Sequence, residues 1–168
     1  MKTSKLYSIP FLVIAVILCC IILPGCNFSR GVKTDLITGL KLSYKGFGVR
    51  DAILVDAGGN KLTSNKEQLN TKIAIAALGV ENYGLKDGKV YPGLSLLVTD
   101  KNGKSILNAA DLFEGIEGYP PAQAAELRGT ITVGRPMASG QTYHVKVHIW
   151  NKITPANEIN AEVDLVVL

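Results

Sequence analysis

Glu158-Ile-Asn-Ala-Glu-Val-Asp-Leu-Val-Val167 sets how the rest of the chain is read. Successive side chains of an extended strand point to opposite sides. Ile159, Ala161, Val163, Leu165 and Val167 therefore share one face, and Asn160, Glu162 and Asp164 share the other. A period of two with one apolar face is the mark of a half-buried β-strand. The same pattern recurs upstream. Thr142 to Trp150 alternates through Tyr143, Val145, Val147 and Ile149, Thr130 to Val133 is strand-like, and Leu94 to Asp100 is an apolar run. Lys101-Asn-Gly-Lys104 turns that run into Ser105-Ile-Leu107, and Asp87-Gly88 is a dipeptide that favours a type I′ hairpin turn. Asn70 to Leu78 gives another strand. Asp51 to Asp56 is a compact apolar run closed by Ala57-Gly-Gly-Asn60, and Leu40, Leu42 and Tyr44 alternate with Lys41, Ser43 and Lys45. One stretch differs. Pro120 and Pro121 precede Ala122-Gln-Ala-Ala-Glu-Leu127, a helix-prone segment with proline near its start, so a short helix or helical turn is expected near 121–127. About seven to nine short strands with frequent turns predict an all-β sandwich with this one helical insertion.

Pro136-Met-Ala-Ser-Gly140-Gln-Thr-Tyr143-His-Val145-Lys-Val147 narrows the expectation. The segment resembles the E–F corner of immunoglobulin-like and fibronectin type III sandwiches, where a proline or glycine turn leads to a tyrosine and alternating valines. The resemblance covers about a dozen residues. It implies that Tyr143 is a corner tyrosine whose hydroxyl bonds back to the corner backbone, with Val145, Val147 and Ile149 on the core face. An ordinary strand that happens to begin with a tyrosine is the plainer alternative.

The first residues follow a different logic. Lys2 and Lys5 give a short positive segment, and Ile9 to Leu23 is almost wholly apolar. Fifteen residues are short for a membrane span, which needs roughly 20, but suit the apolar region of an export signal. Leu23-Pro24-Gly25-Cys26 then resembles the lipobox of bacterial lipoproteins, with the proline a departure from its usual middle residue. The resemblance ends at residue 26. It implies cleavage between Gly25 and Cys26, a diacylglyceryl group on the Cys26 thiol and acylation of the new N-terminus. Two or more chains give stable attachment, at ~0.8 kcal/mol per buried CH₂. The expected organisation is a signal peptide over 1–25, a lipidated tether over 26–37 and a β-sandwich over 38–168. Asn27 stands where aspartate would act as an inner-membrane retention cue. The expected location is the cell envelope, with the outer membrane favoured in a cell that has two. An uncleaved signal anchor, with Cys26 merely beside the membrane, is the competing reading.

Removing the leader leaves 143 residues, enough for one domain with its own core. Lys2 and Lys5 leave with it, so sixteen basic and fourteen acidic residues remain, a formal charge of +2. The charges are interspersed. A nucleic-acid groove needs a clustered stripe of lysine and arginine, so nucleic acid is not an expected partner. Cys19 and Cys20 also lie in the leader, which leaves no disulfide in the mature chain.

Candidate chemistry is sparse. His144 and His148 are the only histidines. Four residues of strand span about 13 Å, whereas zinc needs each nitrogen within about 2.1 Å. One ion cannot bind both, and two residues on a solvated face are expected instead. Trp150, the only tryptophan, falls on that same outer face. An exposed aromatic there can stack on a sugar or anchor an interface, or it can be covered by the Ile153–Asn157 loop. Asp56-Ala-Gly-Gly-Asn60 and Asp100-Lys-Asn-Gly103 loosely resemble calcium loops but offer too few oxygens, and turn chemistry accounts for them better. No nucleophile elbow, phosphate loop or dinucleotide fingerprint is present. The expectation is a non-catalytic, lipid-anchored binding or structural module with no catalytic residue, metal or cofactor. Its partners would be the membrane and an envelope protein or polysaccharide. The alternatives are an envelope enzyme, carbohydrate-active or other, with converging carboxylates, and an accessory subunit of an uptake or export system.

Overall fold

A computed structural model of the chain describes residues 29–168. The expected leader, its Gly25–Cys26 cleavage site and Asn27 lie outside the described residues. Ten strands follow in order: β1 (Arg30–Thr34), β2 (Lys41–Lys45), β3 (Asp51–Asp56), β4 (Lys66–Glu67), β5 (Lys72–Leu78), β6 (Pro92–Asp100), β7 (Ser105–Ala109), β8 (Glu126–Thr132), β9 (Thr142–Asn151) and β10 (Glu158–Val167). They form two sheets. The larger runs β1-β2-β10-β9-β6-β7, and the two-residue β4 adds in parallel beside the end of β10. The smaller runs β3-β5-β8, and every other pairing is antiparallel.

The alternation read from the sequence sets this arrangement. Along β9 and β10 every second residue is buried, and Val145 faces Val163, Val147 faces Ala161 and Ile149 faces Ile159 across the ladder. That apolar face packs against Leu54, Ile73, Ile75, Leu127 and Ile131 of the smaller sheet in one continuous core. Burying each such aliphatic side chain is worth roughly 1.5–3 kcal/mol. The sheets approach closely at Gly129 of β8, where a Cβ would run into the Val147 side chain. The result is an all-β sandwich. No helix among the described residues is long and apolar enough to cross a membrane.

The structure differs from the sequence reading in three places. Of the short helix or helical turn expected near 121–127, the helical turn is what forms, a 3₁₀ turn confined to Pro121–Ala124. Glu126 and Leu127 already belong to β8, because Leu127 pairs with Ala77 and buries its side chain in the core. Residues 30–34, expected within the tether, form β1 and pair with β2. With β4 as well, the strands number ten rather than seven to nine.

The connections gather at two poles. Register places Arg30, Lys45, Glu158, Trp150 and Gly93 in one row at the end of the larger sheet. Asp51, Leu78 and Glu126 form the matching row of the smaller sheet. Beyond those rows lie the segments 46–50, 79–91, 110–125 and 152–157, together with the start of β1. The opposite pole holds the β1–β2 turn and the residues that follow β10.

Candidate functional site

The outer face of the larger sheet carries the chemistry that the sequence singled out. Alternation along β9 turns Thr142, His144, Lys146, His148 and Trp150 outward while their neighbours enter the core. Trp150 pairs with Gly93 of β6. A Cβ on Gly93 would overlap the indole, so the ring lies against the bare backbone of the neighbouring strand. His148 stacks beside it, with ring centroids 5.3 Å apart and planes 27° from parallel. Trp150 is half-buried, supported from below and at its side.

Hydrogen-bonding groups lie beside His148. Ser95 and Asn160 flank His148 on the adjacent strands. A shallow depression of about 390 Å³ is lined by Ser95, Leu97, Asn108, Lys146, His148, Glu158 and Asn160. Glu158 Oε2 lies 3.4 Å from His148 Nε2, which orients the imidazole. Farther along, His144 Nδ1 is 3.0 Å from Asp164 Oδ1, and its Nε2 is 3.6 Å from Glu162 Oε2. The two histidines thus contact separate carboxylates. Among the described residues no set of three or more His, Cys, Asp or Glu side chains could hold a metal ion.

Tyr143 faces the other way. It is buried, and its hydroxyl accepts the Ala138 N–H at 2.9 Å across the turn that precedes β9. The two calcium-like loops hold their own backbone. Asp56 Oδ1 accepts the Asn60 N–H at 2.8 Å, and Asp100 Oδ1 accepts the N–H groups of Asn102 and Lys104 at 2.8 and 2.9 Å.

A concave carboxylate pair would favour an enzyme, and one depression does hold two, Asp35 and Asp51, beside Lys33 and Lys61. Both are engaged locally. Asp35 accepts the Ile37 N–H at 2.9 Å and lies 3.4 Å from Lys61 Nζ, and Asp51 accepts the Ala52 N–H at 2.9 Å. The Ile37 N–H, assisted by Lys61, lowers the Asp35 pKa. A glycosidase acid needs its pKa raised, so Asp35 is tuned in the opposite direction.

Sequence reading reached Trp150, His148 and Lys146 but not the partners supplied by β6 and β7. Gly93, Ser95 and Asn108 come next to them only through strand register, and nothing local in Pro92-Gly-Leu-Ser95 announces an aromatic lying on the glycine. Compared with known proteins, the chain matches no protein-family model and no curated protein sequence.

Proposed function

We propose that this protein is a lipid-anchored, non-catalytic binding module of the bacterial cell envelope, with an immunoglobulin-like sandwich as its body. The anchor rests on the order of positive segment, apolar segment and Leu23-Pro24-Gly25-Cys26. The outer membrane is the favoured location in a cell that has two. Support for the immunoglobulin-like reading comes from strand order. Without β1, β2 and β4, the seven remaining strands group as first-second-fifth and fourth-third-sixth-seventh. The immunoglobulin constant arrangement differs only in placing the fourth strand beside the fifth. Tyr143 sits at the start of the sixth strand, where a corner tyrosine belongs.

The observation that carries the binding function is the Trp150–His148 stack resting on Gly93, with Glu158 next to both and a depression lined by His148, Ser95, Asn160 and Asn108 running on from it. A broad aromatic ring set into a sheet at the end of a row of neutral and charged hydrogen-bonding groups suits the apolar face and hydroxyl rim of a sugar. A polysaccharide is therefore the favoured ligand, and an envelope protein the competing one. The test is a glycan array run beside pull-down from envelope extracts, using the chain from Asn27 to Leu168 and its Trp150→Ala variant. Glycan binding that falls at least tenfold in the variant, with the circular dichroism spectrum unchanged, is the expected result. Capture of a protein with no glycan signal would shift the ligand to the competing class. Silence in both assays would remove the binding function.

A further inference from the structure

We propose that the pole of the sandwich where β1 begins seats directly on the lipid bilayer, with Leu85, Leu112, Ile116 and Ile153 entering the headgroup region. The inference rests on the lipid anchor proposed above and adds an orientation and a second contact to it.

Chain length makes the first argument. Three peptide units separate Cys26 from Ser29, and an extended chain advances at most ~3.6 Å per residue. Ser29 is therefore within about 10 Å of the residue that would carry the lipid. Ser29 is also fixed, because its carbonyl accepts the Gly46 N–H at 2.7 Å. The pole that holds Gly46 is thereby kept against the surface. The opposite pole stands away from it by the length of β9 and β10, ten residues each, or about 30 Å.

Rigidity makes the second, because exposed apolar surface alone does not select a pole: the far one exposes Leu36, Ile37, Leu69 and Leu168. Three connections at the near pole expose large aliphatic side chains: Leu85 at 66%, Leu112 at 45%, Ile116 at 42% and Ile153 at 44%. Leu85 belongs to a hairpin tip in which residues 84–89 are all exposed and Lys86 pairs with Lys89. These connections are tied to one another. The buried Asn151 amide donates to the Tyr83 carbonyl, and its oxygen accepts the Ile153 N–H at 2.9 Å. Lys152 Nζ is 2.7 Å from Asp111 Oδ2 and donates to the Phe113 carbonyl at 2.8 Å, and Lys89 Nζ donates to the Glu117 carbonyl at 3.2 Å. Connections held this way keep their apolar residues at the same pole.

Charge selects the kind of surface. The four connecting segments carry four cations (Arg50, Lys86, Lys89, Lys152) and five carboxylates (Glu81, Asp87, Asp111, Glu114, Glu117). Lys89 and Lys152 are turned onto carbonyls of the pole itself. The end rows add Arg30 and Lys45 against Asp51, Glu126 and Glu158. The pole thus has no excess of positive charge to favour anionic lipid, and the partner is the apolar and zwitterionic interface of the bilayer.

The experiment uses the full processed protein in phosphatidylcholine vesicles. Single variants Leu85→Cys, Ile153→Cys and Leu36→Cys each receive an environment-sensitive fluorophore. Residues 29–168 contain no native cysteine to compete for the label. Nitroxide-labelled lipids are expected to quench positions 85 and 153 at least twofold and to leave position 36, at the far pole, unquenched. Mass spectrometry of the N-terminal peptide from the same samples reports the anchor independently. Lipid on Cys26 with positions 85 and 153 unquenched, or with all three quenched alike, overturns the seating and leaves the anchor standing. An N-terminus without lipid overturns both.

Discussion

Trp150 is the only tryptophan in the chain, so its fluorescence reports one place on the outer sheet face. Gly93 beneath it has no side chain, and the indole occupies the space a Cβ would fill. The glycine backbone there is not in the left-handed region, so the effect of Gly93→Ala is displacement of the ring rather than strain in the strand. The expected result is red-shifted emission and weaker ligand binding, with a stability loss of about 1–2 kcal/mol. An unshifted spectrum would show that the ring does not rest on the glycine. Tyr143 gives a second test at this scale. Tyr143→Phe keeps the buried ring but leaves the Ala138 N–H without its acceptor. Losing one such bond costs about 0.5–1.5 kcal/mol, to be read as a lower denaturant midpoint at unchanged slope.

Among the elements, β8 shows how tertiary pairing overrides local preference. Ala122 to Leu127 has helix-forming composition, but seven consecutive residues from Glu126 onward pair with β5, and Leu127 and Ile131 complete the core. Gly129 lies between them on the inner face, and Gly129→Ala would push a methyl group into Val147 of the facing sheet. Overpacking of this kind costs about 1–3 kcal/mol, measurable as a fall in melting temperature that Val147→Ala should partly restore.

The 110–125 and 152–157 connections are joined by the Lys152–Asp111 pair. Burial alone would raise the Asp111 pKa, but Lys152 and the N–H groups of Phe113 and Leu94 outweigh it and lower the value below 3.8. A carboxylate whose pKa falls on folding adds stability that is complete above its unfolded value. That stability is lost as the pH drops through the folded one. Lys152→Met is therefore expected to cost about 1–2 kcal/mol near neutral pH. Its deficit against the natural protein should shrink as the pH falls below 4. A deficit that stayed constant across that range would rule out the ion pair as its source.

For the whole molecule, the pairing of β2 with β10 joins residues as distant as Lys41 and Glu162. Sandwiches dominated by such non-local pairings fold in milliseconds to seconds. Trp150 emission in a stopped-flow experiment should show its main refolding phase in that range, and a microsecond phase carrying most of the amplitude would contradict it. The two proposals also fit together in space. Trp150 lies in the row of the larger sheet nearest the proposed bilayer contact, while Ser95, Lys146 and Asn108 continue the face away from it. A long polysaccharide bound there would extend from the membrane surface outward.

Period-two alternation in the segments that became β2, β5, β9 and β10, with the short apolar runs that became β3 and β6, determined the all-β class, because a strand with one buried face writes its pattern into every second residue. It also determined that His144, His148 and Trp150 share an outer face and that Tyr143 turns inward. The N-terminal pattern that suggests an anchor is likewise a property of the linear chain. Other features came only with the tertiary structure. β1 is silent in sequence because its inward positions are Gly31, covered by the Tyr44 ring, and Lys33, whose ammonium reaches the Arg50 carbonyl. An edge strand packed in that way has no apolar repeat to read. The seat of Trp150 on Gly93 and the gathering of Leu85, Leu112, Ile116 and Ile153 at one pole depend on strand register and order. Both are set by contacts between residues far apart in the chain, and no local window contains them.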